Sequence, residues 1–325
     1  GETTDDKSAG GNIALEGGMG SSTDGLGGGI GGDISLTGGR ALGSDTTTDV
    51  GGDLFFTGGQ ASSATGGSIA IMSGYSDSTH SGAISVSTDN AGASGVSGPM
   101  SLSTGKTTAG TSGKIELETG QGVGGAGGNV EVSVGAGDFG DGGEIKLTAG
   151  STVSDGSSGG KITLHAGQGI NEDEGSMGIS GGDIVLTAGE AFYGLGAAND
   201  LGGNVLVSGG ESEMGVGGNI QLTSGFGVAQ TSGMIGVSTA DAGVSGASGL
   251  IDVNTGRSTN GHSGKIQVTT GTATNGAGGD IAMSVGTGNT GNGGNVFVRA
   301  GETTDDKSAG GNIALEGGMG SSTDG

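Results

Sequence analysis

Cysteine is absent from all 325 residues, so neither disulfides nor thiol chemistry can enter the account. Tryptophan is absent too, and only six Phe and two Tyr supply aromatic surface, which points to a thin apolar core at most. One proline beside 86 glycines excludes a collagen triple helix, which needs Pro in abundance and a strict Gly-X-Y period. Cationic side chains are scarce: 10 Lys and Arg stand against 34 carboxylates, a net charge of −24. Nucleic acid is therefore excluded as a partner, because its binding rests on phosphate neutralisation. Apolar runs are only a few residues long, so no membrane insertion is expected.

What the chain has in plenty is one phrase. Residues 112–120, 127–135 and 142–150 read SGKIELETG, GGNVEVSVG and GGEIKLTAG. A small pair is followed by x-Φ-x-Φ-x-x-Gly, with Φ aliphatic. The apolar residues stand two apart, as Ile115/Leu117, Val130/Val132 and Ile145/Leu147 do, which places both on one face of an extended segment. Helical spacings of three and four are missing.

The phrase begins at 10, 31, 51, 66, 81, 97, 112, 127, 142, 159, 181, 202, 217, 232, 248, 263, 278, 293 and 310, nineteen times in all. A unit of about 15 residues is thus nested in one of about 150, and residues 1–25 are identical to residues 301–325. The array is continuous over 1–325. Residues 1–9 end a preceding repeat, 10–158 and 159–309 are two nine-phrase super-repeats, and 310–325 open the next. The chain is expected to be a window on a longer polymer.

Short fixed periods are the mark of a solenoid. The expected fold is all-β, a parallel β-solenoid of about 19 short coils with one GGxΦxΦxxG strand per coil. A triangular winding with three phrases per turn stays open. In the first winding Ile115, Leu117, Val130, Val132, Ile145, Leu147, Ile220, Leu222, Ile266 and Val268 line a buried core. Glu131 would pair with Lys146 and Glu144 with Lys161 across neighbouring strands. At ~4.8 Å per coil the rod would be roughly 90 Å long. The four longest links, 19–30, 40–50, 168–180 and 190–201, gather apolar residues. They either cover an edge of the solenoid or form a lateral ridge through Leu26, Ile30, Phe192, Tyr193 and Leu195.

Chemistry-bearing groups do not converge. His80, His165 and His262 fall in different phases of the repeat, no Cys/His metal spacing exists, and the Gly-Gly turns do not lead into helices. No catalysis and no organic cofactor are expected. Calcium is the one ion that suits the acidic clusters Asp45/Asp49 and Glu172/Asp173/Glu174. The GGD and GGN openings match the calcium nonapeptide of β-rolls only in part.

The phrases SGKIELETG, SGLIDVNTG, GGDIAMSVG and GGNVFVRAG, with TAGT and TNGA links, resemble very large glycine-rich secreted repeat proteins of diatoms and related algae. The resemblance spans the whole chain and implies an extracellular fibre, sheath, surface hair or adhesive component. The expected function is a structural subunit of a long acidic filament. Its partner is itself, through continuation of the chain and lateral contacts. A repeat adhesin or stalk that grips surfaces or glycans, with Ca2+ in the grip, is the alternative, and bacterial repeat adhesins share the style.

Overall fold

A computed structural model describes residues 9–22, 28–170, 180–191, 201–244 and 246–320. The chain divides into two units, Gly1–Thr148 and Ala149–Gly325. Below, the nine residues of each phrase are numbered one to nine, and the residues between phrases are called links.

Among the described residues there is no helix and no strand. The expected parallel β-solenoid is therefore not the fold. The reason lies in how consecutive phrases meet. In a parallel coil the second residue of one phrase would lie beside the second residue of the next. Instead the second residue lies beside the ninth residue of the phrase before it. The amide of Gly67 donates to the carbonyl of Gly59, and that of Gly82 to Gly74, both at 2.8 Å. Seven residues of extended chain separate positions two and nine within a phrase, about 23 Å. Bringing position nine to the next position two thus requires the link to double back, not to complete a coil. One bond at the foot of a link is not a ladder, so no sheet is formed.

Many of the links bend at the same place, three to five residues after the phrase ends. In the first unit they bend at 62–64, 77–79, 108–110 and 123–125, and in the second at 213–215, 228–230, 259–261 and 274–276. Left-handed backbone is confined to links, at Gly124 (φ 75°) for example. The corresponding place in the second unit holds Asn275 (φ 60°), and asparagine is among the few non-glycine residues that tolerate this region.

Within a phrase the backbone keeps two faces, as the alternation predicts. Odd positions bond to each other two residues apart. Lys114 and Glu116 form an ion pair at 2.6 Å, Lys265 meets Gln267, and the Asn254 amide donates to Asp252 at 2.9 Å. The expected pair Glu131–Lys146 is not among the ion pairs of the described residues. Even positions carry the aliphatic side chains on the opposite face.

No described residue is buried. The ten residues expected as a core, Ile115, Leu117, Val130, Val132, Ile145, Leu147, Ile220, Leu222, Ile266 and Val268, are 50–74% exposed. They form an apolar face covered only in part, because each phrase is flanked without being overlaid. The ends of the array show what flanks it. Ile13, in the first phrase, is 92% exposed, against 52% for Ile34 in the second. Leu315, in the last phrase, is 93% exposed, against 74% for Leu222. The fourth position is thus shielded by the phrase before it and the sixth by the phrase after it.

Candidate functional site

The feature built most often in this chain is the junction between phrases, and two of its residues decide its form. The second position is glycine in all nineteen phrases. Where the eighth residue is also glycine, little room exists there for anything larger. A Cβ on Gly67 or Gly218 would stand 2.8 Å from the backbone nitrogen of Gly59 or Gly210, closer than real Cβ atoms approach.

The eighth position faces that glycine and varies in size along each unit. Where it is Gly17, Gly38, Gly58 or Ser73 in the first unit, the closing backbone bond is present. The same holds for Ala149, Ala166, Ala188, Gly209, Ser224 and Ala300 in the second. These bonds measure 2.8–3.0 Å, from Gly32 to Gly18 at one end of the set to Gly311 to Gly301 at the other. Where the eighth residue is Thr88, Thr104, Thr119 or Val134, or Thr239, Thr255, Thr270 or Val285, the bond is absent among the described residues.

The loosened junctions are those with a branched eighth residue, whose Cγ atoms stand over the glycine. The Cγ2 of Thr239 lies 3.2 Å from where a Cβ on Gly249 would be, and the Cγ1 of Val134 lies 2.6 Å from the same point on Gly143. At two threonine junctions the hydroxyl takes over. Thr119 donates to the carbonyl of Gly128 at 3.1 Å, and Thr255 to that of Gly264 at 3.3 Å. Small eighth residues make closed junctions, and β-branched ones make loosened junctions.

Link length does not decide the matter. The four longest links end on the same bond as the short ones: Gly32–Gly18, Gly52–Gly39, Gly182–Gly167 and Gly203–Gly189. Of their apolar residues, Ile30 is exposed, while Leu26, Phe192, Tyr193 and Leu195 lie outside the described residues.

The acidic cluster Asp45/Asp49 is a closed turn. Asp45 accepts the Thr47 amide at 2.8 Å and the Thr47 hydroxyl at 2.6 Å, while Asp49 accepts the Asp45 amide at 2.8 Å. The Asp45 pKa is lowered to about 2, first by the Thr47 hydroxyl and then by its amide. Asp305 is held below the usual carboxylate range in the same way, by the Ser308 hydroxyl and the Lys307 amide. Among the described residues no three His, Cys, Asp or Glu side chains group as a cation site. Glu172, Asp173 and Glu174 lie outside the described residues. His80, His165 and His262 are all exposed, and no cavity forms among the described residues. No helix there is long and apolar enough to cross a membrane.

Comparison with known proteins found no matching family model, no matching curated protein and no matching solved structure.

The sequence reading located the two faces and the threonines of the eighth position. It missed the closing bond itself. The signal was present in the pairing of an unvarying second-position glycine with an eighth residue running Gly, Gly, Gly, Ser, Thr, Thr, Thr, Val, Ala along the first super-repeat.

Proposed function

We propose that the chain is a structural segment of a long acidic extracellular filament, and that its mechanical element is the closed link. The observation that supports this reading is the recurrence of one closure, second-position amide to ninth-position carbonyl, at ten junctions across both units. A chain assembled from one device used over and over performs that device's task many times in series. The sequence resemblance to secreted algal repeat proteins supports the extracellular setting.

Each closure stores slack. Gly59 and Gly67 are joined by a 2.8 Å bond although eight residue steps of chain separate them. Those steps span about 27 Å when extended. One hydrogen bond contributes only about 0.5–1.5 kcal/mol net, so tension of a few piconewtons, on the order of 3 pN, opens the link. The filament extends junction by junction and recovers when released. Its charge keeps neighbouring chains soluble, and salt shortens the range of their repulsion. This task requires no catalytic group, and the phrases continue from one super-repeat into the next.

The calcium-gripping alternative draws less support. Asp45 and Asp49 are committed to their own turn, and Glu172–Asp173–Glu174 lies outside the described residues. Stretching single molecules tests the proposal. A smooth, reversible extension at low force, unchanged by a calcium chelator, is the expected result. Discrete high-force unfolding peaks, or compliance that stiffens with Ca2+, would contradict it.

A further inference from the structure

We infer that Asn260, Asn275 and Asn292 are modification sites at which the chain, without an enzyme, converts its own asparagine to isoaspartate and aspartate. These are the three asparagines of the sequence that glycine follows. All three stand in links of the second unit, and those links lead to the loosened junctions at Gly264, Gly279 and Gly294. Among the described residues no closing bond from a second-position amide to a ninth-position carbonyl restrains them.

The reaction needs a backbone amide free to turn onto the side chain before it, and each site supplies one. Among the described residues Gly261, Gly276 and Gly293 donate no hydrogen bond, and the three asparagine side chains make none. All six residues are exposed. Asn260 and Asn275 lie within the bends at 259–261 and 274–276, and Asn292 follows the bend at 289–291. The glycines have open space around them. A Cβ on Gly293 would meet nothing within 4 Å, and one on Gly276 would meet only the Ala273 Cβ at 4.0 Å. With no side chain of its own, glycine lets its nitrogen close on the carboxamide. Asparagines within the phrases are placed otherwise. Asn12, Asn129, Asn204, Asn219, Asn295 and Asn312 all hold the third position, and each is followed by Ile or Val. The branch at that residue's Cβ crowds the approach.

The steps balance with water as the one co-reactant. The nitrogen of Gly276 gives its proton to solvent and bonds to the side-chain carbonyl carbon of Asn275. The carbon–nitrogen bond of the carboxamide breaks, and the amino group takes up a proton and leaves as ammonia. The product is a cyclic succinimide. Water then opens the ring at one of its two carbonyls, its proton passing to the ring nitrogen, and the new acid ionises. Opening at the side-chain carbonyl leaves aspartate. Opening at the backbone carbonyl breaks the original peptide bond and leaves isoaspartate, whose chain runs on through the side chain. Either product adds a negative charge to its link. At Asn292 that charge appears where the first super-repeat already carries Asp141. At Asn275, the residue that holds φ 60°, isoaspartate lengthens the backbone by a methylene within the bend.

The inference goes beyond the extensible-filament reading, and the stretching result stands whichever way this one falls. The test incubates the 325-residue chain in neutral buffer, samples it over time and maps it by mass spectrometry, with fragmentation that separates isoaspartate from aspartate. Asn260, Asn275 and Asn292 should each gain the mass difference between NH2 and OH, with isoaspartate among the products. Their rates should exceed those of Asn219 and Asn295 by roughly tenfold or more. Open links also require rates within about threefold of those in short synthetic peptides covering 257–263, 272–279 and 288–294. Gly276→Val should slow the change at Asn275 by roughly tenfold or more and leave the rate at Asn260 as it was. Link asparagines that persist as long as Asn219 overturn the inference. So does conversion many times slower in the chain than in the peptides, or conversion at Asn275 that Gly276→Val does not slow.

Discussion

Ser73 and Thr104 occupy the same place in their phrases, and only the serine junction carries the backbone bond, from Gly82 to Gly74 at 2.8 Å. The difference between the two side chains is one methyl group. At Thr104 that methyl, Cγ2, is the atom nearest to where a Cβ on Gly113 would be, whereas at Ser73 the atom nearest the same point on Gly82, apart from the backbone of Gly74, is Cβ. Ser73→Thr should therefore release the Gly82 amide, and Thr104→Ser should capture that of Gly113. Hydrogen exchange read by NMR should shift roughly 2- to 10-fold at each glycine, in opposite directions, which is the range one hydrogen bond covers. Asp45 offers a second test at this scale. Its pKa, lowered to about 2 from 3.8, means that the turn's carboxylate bonds are fully present above the ordinary aspartate range and are lost as pH falls through about 2. NMR titration should find that midpoint, and Thr47→Ala should return it toward 3.8. A midpoint already at 3.8 in the unaltered chain would remove the turn's hydrogen bonds from the account.

At the scale of the element, the link bend is held by backbone geometry more than by contacts. Asn275 sits at φ 60° where the first unit has Gly124 at φ 75°. Asn275→Gly should leave the bend unchanged, whereas Asn275→Val should distort it, since a β-branched residue is an outlier in this region. Chemical shifts of residues 274–276 read the result directly; tolerance of valine would refute the assignment. The alternation of the phrase was legible in the sequence, but the strand expected from it is not formed among the described residues. The alternation of Ile115, Leu117 and Thr119 against Lys114, Glu116 and Glu118 gives the two faces, and the glycine-rich stretches give the links. How one phrase meets the next was not legible from that alternation. A period of two says which side chains share a face and is silent on which strand, if any, lies alongside. The parallel solenoid and the doubled-back link satisfy the same pattern. The choice between them is made by glycine backbone at Gly59 and Gly67, which has no side chain to advertise it.

At the scale of the whole molecule, closed and loosened junctions come in blocks. Thr88, Thr104, Thr119 and Val134 make four consecutive loosened junctions in the first unit, and Thr239, Thr255, Thr270 and Val285 repeat them in the second. Under tension the two kinds should yield in order, loosened before closed, so compliance alternates along each super-repeat. Hydrogen exchange in solution tests the central claim most directly. Second-position amides at closed junctions, those of Gly52, Gly67, Gly182 and Gly218, should be the slow ones. Amides within the phrases, such as Ile69 and Ile220, should exchange at nearly the free-chain rate. Continuous protection running through the phrases would mean a backbone ladder and would contradict the account.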